Sequence, residues 1–304
     1  MNDTSDTKIA FLITIDTEGD NLWTPLETVT TRNARYLPRF QNLCDRYGFK
    51  PTWLTNYEMA ECPEFCEFGR DVLNRSTGEI GMHLHAWNSP PITNDRLEGQ
   101  AYLIEYPESV MRDKIKFMTD LLEERFGHKM TSHRAGRWAF DSRYARMLVQ
   151  QDYRVDCSVT PHVSWTDVLG DPNGSGGTDY TTFPARPYFM DLERIDREGN
   201  SPLLEVPVSI VSNASGTRWL RPNGQNRNSM LGVLKLACEE QWPCVEFMLH
   251  SSELMPGGSP SFQSQDDIEA LYDDLEALLG EAAARFHGQT LSEFYEDYRS
   301  RHRL

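Results

Sequence analysis

Seven short apolar runs, separated for the most part by stretches of helical periodicity, constrain this chain more than any other feature. They are Lys8 to Ile15, Pro51 to Thr55, Glu79 to His85, Thr131 to Ala135, Tyr153 to Val159, Leu203 to Ile210 and Cys244 to His250. Each has the length of a strand, and several lack the alternation of a strand with one wet face. A strand that is apolar on both faces must be covered on both, as parallel strands under helices are. Between the runs, Val110, Met111, Ile115, Met118, Leu121, Leu122 and Phe126 form one helical stripe. Ile268, Leu271, Leu275, Leu278 and Leu279 form another. Gly127 is placed to close the first helix, and Gly280 to bend or end the second. The alternation predicts an α/β fold with a parallel sheet or a closed barrel.

In such folds, function gathers at the C-terminal ends of the strands. Asp16, Glu18, His83, His85, Arg134 and His250 all fall at predicted strand C-termini. Side chains at i and i+2 of a strand share a face, so His83 and His85 can both point at one ion. Asp16 and Glu18 repeat the spacing with carboxylates; the plain alternative is a loop start or a helix cap. A mixed nitrogen and oxygen donor set suits a divalent metal, zinc before cobalt, nickel, manganese or iron. Three protein ligands from such a set would leave positions for water and substrate. Arg134 is suited to orient a carboxylate by a bidentate contact, and its plain alternative is a surface salt bridge. His250 ends the last apolar run and suits proton donation to a leaving group, unless it merely neighbours a capping serine. Trp87, Trp138 and Trp165 are candidates to stack on a ring of the substrate, or else core and pocket wall.

Composition narrows the partners. Thirty basic against 46 acidic residues give a net charge of −16, which argues against nucleic acid or an anionic membrane. No apolar run approaches the length of a membrane span. The N-terminal residues are polar and acidic, without the pattern of a secretory signal, so a cytoplasmic location is the expectation. Among the six cysteines there is no Cys-x-x-Cys. Cys62 and Cys66, four apart, suit one helix face, and free buried thiols are the expected state. The run from Gly170 to Asp179 reads as a long loop, either a lid over substrate or a surface insertion. The segment from Phe183 to Tyr188 is expected to line a groove or to brace that loop. The tail from Phe294 to Leu304 reads as a closing amphipathic helix with basic residues in its last turn.

With these residues in hand, the chain resembles the polysaccharide deacetylase family, the NodB-homology group of carbohydrate esterases. Thr14-Ile15-Asp16-Thr17-Glu18 is similar to the first motif of that family, and Glu79-Ile80-Gly81-Met82-His83 to the second. Ser132-His133-Arg134-Ala135-Gly136 resembles the third, Val155 to Thr160 takes the place of the fourth, and Leu249-His250-Ser251 resembles the fifth. The likeness covers roughly residues 8 to 255. It implies a single distorted (β/α)7 barrel domain over 1–304, with closing helices at about 265–303. The implied reaction is metal-dependent removal of an N-acetyl group from a sugar or glycan precursor. By this resemblance Asp16 is the general base, His250 the general acid, Arg134 the residue that orients Asp16, and His83 a metal ligand. Three positions depart from the pattern. Thr17 stands where the metal-binding aspartate is usual, with Glu18 as its substitute. Trp87 stands where the second histidine is usual, with His85 as its substitute. Gly136 replaces the usual proline of the third motif. The resemblance also admits a metal-free, allantoinase-like hydrolase of cyclic amides, and an inactive glycan-binding module is the reading from another class.

Overall fold

A computed structural model describes residues 9–20, 22, 29–92, 101–170, 174, 176–214 and 216–302. Eleven strands are present among them: β1 (Ile9–Thr17), β2 (Pro51–Thr55), β3 (Glu79–Leu84), β4 (Ser132–Ala135), β5 (Val155–Asp156), β6 (Tyr188–Phe189), β7 (Leu204–Glu205), β8 (Ile210–Asn213), β9 (Gly216–Trp219), β10 (Cys244–His250) and β11 (Phe286–Gly288). The helices are α1 (Leu37–Tyr47), α2 (Tyr57–Ala60), α3 (Pro63–Asn74), α4 (Glu108–Phe126), α5 (Ser142–Gln150), α6 (Arg227–Glu239), α7 (Gln265–Arg285) and α8 (Leu291–His302). None of the described helices is long and apolar enough to cross a membrane.

Seven strands run parallel in the order β10, β1, β2, β3, β4, β5, β7, as the seven apolar runs predict. β6 adds antiparallel to β7, and β11 pairs with Ile9–Phe11, the part of β1 that β2 does not reach. The sheet curls into the distorted α/β barrel but does not close by a ladder. Between β7 and β10 the described contacts are single bonds: Ser209 N–H donates to Glu246 O at 3.2 Å and Met248 N–H to Leu220 O at 3.3 Å. Glu246 N–H is accepted by the Ser209 hydroxyl at 2.8 Å.

β1 shows how the barrel sorts its residues. Phe11, Ile13 and Ile15 pack outward against the helices. Ala10 and Leu12 point inward, where they join Leu54, Val155, Leu204 and Cys244 over Leu291, Phe294, Tyr295 and Tyr298 of α8. The same inward face continues as Thr14 and Asp16 by strand periodicity. One end of the barrel is therefore plugged by apolar side chains, and polar groups accumulate toward the other.

Several expectations change in detail. The run from Tyr153 to Val159 yields only the short β5, because side chains replace the ladder beyond it. Ser158 N–H donates to the Asp156 carboxylate at 3.1 Å and Val159 N–H to the Glu205 carboxylate at 2.9 Å. The run from Leu203 to Ile210 is likewise split between β7 and the start of β8. Gly127 caps α4 in the left-handed region at φ 67°, as expected. Gly280 neither bends nor ends α7, which runs on to Arg285 because Leu278, Leu279 and Ala282 keep its buried face continuous. The tail forms α8 with Arg299, Arg301 and His302 in its last turn. All six cysteines are free, five of them buried and Cys238 partly so. Of the loop from Gly170 to Asp179, residues 171–173 and 175 lie outside the described residues, as do 303–304 of the tail. The flanks of that loop pair with each other: Trp165 N–H donates to Thr178 O at 3.1 Å and Gly177 N–H to Trp165 O at 2.9 Å.

Candidate active site

A cavity of about 690 Å³ opens at the polar end of the barrel. Asp16, Glu18, His83, His85, Trp87, Trp138, Trp165 and His250 all line it. Arg134 lies beneath, fully buried. Phe183 to Tyr188 is not among the lining residues. Its Phe183 ring packs on Tyr180 with centroids 4.9 Å apart, so the segment braces the loop before it.

Glu18 is set by the turn that leaves β1. Its N–H donates to the Ser251 hydroxyl at 3.0 Å, and its carbonyl accepts from Asn33 Nδ2 at 2.7 Å and from Ser251 Oγ at 3.0 Å. Asp20, two residues on, ties the same turn to the Asn33 N–H at 2.9 Å and to the Thr30 hydroxyl at 2.6 Å. Thr17, in the place of the usual aspartate, turns its hydroxyl back to Ile15 O at 3.0 Å. Across β2, the end of β3 and the residue just beyond it present two imidazoles. His83 Nε2 lies 3.6 Å and His85 Nε2 3.2 Å from Glu18 Oε2. One donor atom from each of the three residues falls within 4.8 Å of the others, and all three are buried.

The chemistry of this trio fits a divalent cation. His83 Nδ1 lies 3.0 Å from Arg134 O, and a carbonyl only accepts, so Nδ1 carries the proton and Nε2 presents a lone pair. Burial pushes the His83 imidazole down, but the Asp16 and Glu18 carboxylates more than offset this and raise it above the usual range. The trio is thus a place where positive charge is favoured. Burial and the neighbouring His83 push His85 far down, which keeps its ring neutral and its lone pair available. The His85 ring stacks on Trp87 with centroids 4.2 Å apart.

Gly136 explains why His85 can stand here. A Cβ at 136 would come within 2.4 Å of Leu84 O and 2.6 Å of the His85 ring. The glycine that replaces the usual proline and the histidine at the unusual spacing therefore depend on each other sterically. The next two residues, Arg137 and Trp138, have φ of 53° and 61°, an uncommon left-handed pair that turns both side chains onto the cavity wall.

Arg134 departs from the expected bidentate contact with one carboxylate. Its fork is divided: Nη1 donates to Asp16 Oδ1 at 2.7 Å, Nη2 to Glu246 Oε1 at 2.5 Å and to Thr14 Oγ1 at 2.7 Å, and Nε to Cys157 O at 3.0 Å. Two buried carboxylates share one guanidinium, so their charges diverge. For Asp16, burial pushes the carboxyl up, but Arg134 and the nearby imidazoles hold it well below the usual carboxylate range. For Glu246 burial prevails over Arg134 and the carboxyl is raised.

His250 Nε2 lies 3.6 Å from Asp16 Oδ2 and 3.9 Å from Glu18 Oε1. Its other nitrogen meets residues the sequence did not single out. Arg221 Nη2 lies 3.1 Å from His250 Nδ1 and also donates to Glu253 Oε1 at 3.1 Å. Glu253 Oε2 accepts from the His250 backbone N–H at 2.7 Å and lies farther, 3.4 Å, from Nδ1. A guanidinium only donates, so in the neutral ring Nδ1 accepts from Arg221 and the proton sits on Nε2, the cavity side. Glu246 had a readable signal, as an acid inside the apolar run that ends at His250; Glu253, behind two serines, and Arg221 had none.

No protein-family model matches the sequence, and no curated protein does. Solved structures match over almost the whole chain at low identity. A protein provisionally classed as a polysaccharide deacetylase, from Mycobacterium smegmatis, is 15% identical with a TM-score of 0.64, covering 99% of this chain and 94% of its own. A protein provisionally classed as a glycoside hydrolase/deacetylase, from Parabacteroides distasonis, is 10% identical with a TM-score of 0.67, covering 98% and 73%. A 4-alpha-glucanotransferase from Thermococcus litoralis, 13% identical with a TM-score of 0.57, covers 95% of this chain and 40% of its own. At such identities the likeness is one of fold, and the fold of this chain is the NodB-type barrel of the polysaccharide deacetylases.

Proposed function

We propose that the chain is a metal-dependent amide hydrolase that removes the N-acetyl group of a sugar or glycan precursor. The observation that carries this reading is the convergence of Glu18, His83 and His85 within 4.8 Å of one another in the cavity that also holds Asp16 and His250. Glu18, His83 and His85 would hold the ion, with zinc the best match to two imidazoles and a carboxylate. When bound, the ion would supply Lewis-acid chemistry, polarising the amide carbonyl and making water a stronger acid.

The other residues handle the protons. Asp16, kept ionised by Arg134, takes a proton from water as its oxygen adds to the carbonyl carbon. The carbon–nitrogen bond then breaks, acetate forms, and His250 gives its Nε2 proton to the departing amine. The ring that donates is the imidazolium, its Nδ1–H directed to Glu253 Oε2 3.4 Å away, because a neutral ring that gave up its Nε2 proton would be left as imidazolate. Trp87, Trp138 and Trp165 supply apolar wall suited to the face of a sugar ring.

The test is acetate release from N-acetylhexosamine oligomers and nucleotide sugars, before and after chelation and with His83→Ala. Loss of release in both treatments, with recovery on adding zinc to chelated wild type, is expected. Release that survives both overturns the reading. Hydrolysis of a cyclic amide by metal-stripped protein would point to the allantoinase-like alternative. Unchanged glycan binding after Asp16→Asn, with turnover in neither form, would point to a binding module.

A further inference from the structure

A second cavity, of about 470 Å³, adjoins the first and shares Trp138, Trp165 and Arg221 with it. Its far side is built by β9, which contributes Arg218 and Trp219, and by Asn223 and Asn226 beyond it. The Trp138 and Trp219 rings stand 6.4 Å apart at 60°, so the passage between the two cavities is walled by aromatic faces. The charge of this space is out of keeping with the molecule. In a chain of net charge −16, the described residues that line the side cavity include two arginines and a single acid, Glu253, which is already paired with Arg221. Arg218 forms no ion pair among the described residues, and its Nε is buried without a hydrogen-bond partner. A buried guanidinium nitrogen left unpaired costs free energy unless something else supplies the acceptor. Arg218 is placed by its antiparallel register with Val211, and its Nη1 packs 3.5 Å from where a Cβ of Gly232 would stand, so the fork is held against α6. On the wall of the first cavity, Arg137 lies over the Tyr102 ring at 5.0 Å and likewise forms no ion pair among the described residues.

We propose that the substrate is an anionic N-acetylated sugar, whose acetamido group enters the first cavity while a carboxylate or phosphate on the same or the adjoining residue is seated against Arg218 in the second. The proposal rests on the deacetylase reading for the acetamido group. For the anion it rests on the guanidinium alone, which matches the two oxygens of a carboxylate or phosphate. The asparagines and the aromatic walls fit a sugar between the two sites.

Equilibrium binding tests this without turnover, by calorimetry on Asp16→Asn protein with N-acetylglucosamine, N-acetylmuramic acid and N-acetylglucosamine 6-phosphate. At least one acidic sugar should bind about tenfold more tightly than the neutral one, the scale of a charge-assisted hydrogen bond, with a preference that fades as salt is raised. Whether the carboxylate or the phosphate holds the preference identifies the anion. The preference should vanish in Arg218→Gln and survive in part in Arg218→Lys, both checked for a wild-type unfolding transition. Equal binding of all three sugars, or a preference that persists in folded Arg218→Gln, overturns the proposal. The two readings fail separately: acetate release without charge preference removes this one, and an Arg218-dependent preference without acetate release removes the hydrolase.

Discussion

Arg134 brings one positive charge to a place where two carboxylates and a threonine hydroxyl converge, all shielded from water. Removing it would leave Asp16 and Glu246 facing each other without compensation. Arg134→Met should therefore cost on the order of 3–5 kcal/mol in urea unfolding, and the double change with Glu246→Leu should recover part of that loss. Glu253 offers a pH test of the neighbouring cluster. Burial alone pushes this carboxyl up, but Arg221 and the backbone N–H of His250 hold it at about 2. Its folded value lies below the unfolded value of about 4.3, so the unfolded chain binds more protons in between. The stability it contributes is complete above the unfolded value and is lost as pH falls toward 2. Unfolding free energies between pH 5 and 3 should fall less steeply in Glu253→Gln than in wild type; parallel slopes would show that Glu253 is not so held. At this scale the lining of the cavity was legible because i, i+2 pairs at strand ends are a local pattern. The supports behind it were not. Arg221 reaches His250 across 29 positions, and Glu246 finds Arg134 across 112, distances over which no spacing rule operates.

Two glycines separate what an element tolerates from what a site requires. Gly280 lies inside α7 with ordinary φ, and a Cβ there would meet the Tyr47 ring at 3.7 Å, a normal contact. Gly280→Ala should raise stability by roughly 0.5–1 kcal/mol, as the unfolded chain loses freedom and the helix gains propensity. A sequence reading that stops the helix at this glycine weighs propensity alone, whereas the buried row on both sides of it decides the outcome. Gly136 is the opposite case. A side chain there would strike Leu84 O and the His85 ring, so Gly136→Ala should displace His85. The expected result is a loss of metal affinity of 10-fold or more with stability reduced by about 1–3 kcal/mol, read by metal titration alongside urea unfolding. Unchanged affinity would mean that His85 is not a ligand. Strands β2 and β10 matched their apolar runs end to end, because each is buried over its length and pairs on regular ladders. β5 and β7 shrank because Asp156 and Glu205 offer the backbone acceptors that compete with the ladder, a preference hydropathy does not register.

For the molecule as a whole, the alternation of apolar runs and helical stripes carried the order of the sheet, and the gap between β7 and β10 escaped it because single hydrogen bonds replace a strand pair there. An unclosed barrel must be held together otherwise. α8 does so at one end, where its rings fill the apolar interior. At the other end, Glu18 leaves β1 and the two histidines lie at the end of β3 and just beyond it, with β2 between them, so a cation bound by all three would tie together strands that do not pair. Such a cation binds the folded chain and finds no assembled site in the unfolded one, so its binding energy adds to stability. At a free concentration one hundred times the dissociation constant the gain is about 2.7 kcal/mol. For a chain of this size that corresponds to a rise of roughly 4 °C in the unfolding temperature. Calorimetric scans of metal-stripped protein with and without added zinc should show this rise near neutral pH. The rise should shrink as acid protonates the histidine ligands, and it should be absent in His83→Ala at every pH. Superimposable scans with and without zinc would remove the ion from the site, and with it the Lewis-acid part of the proposed chemistry.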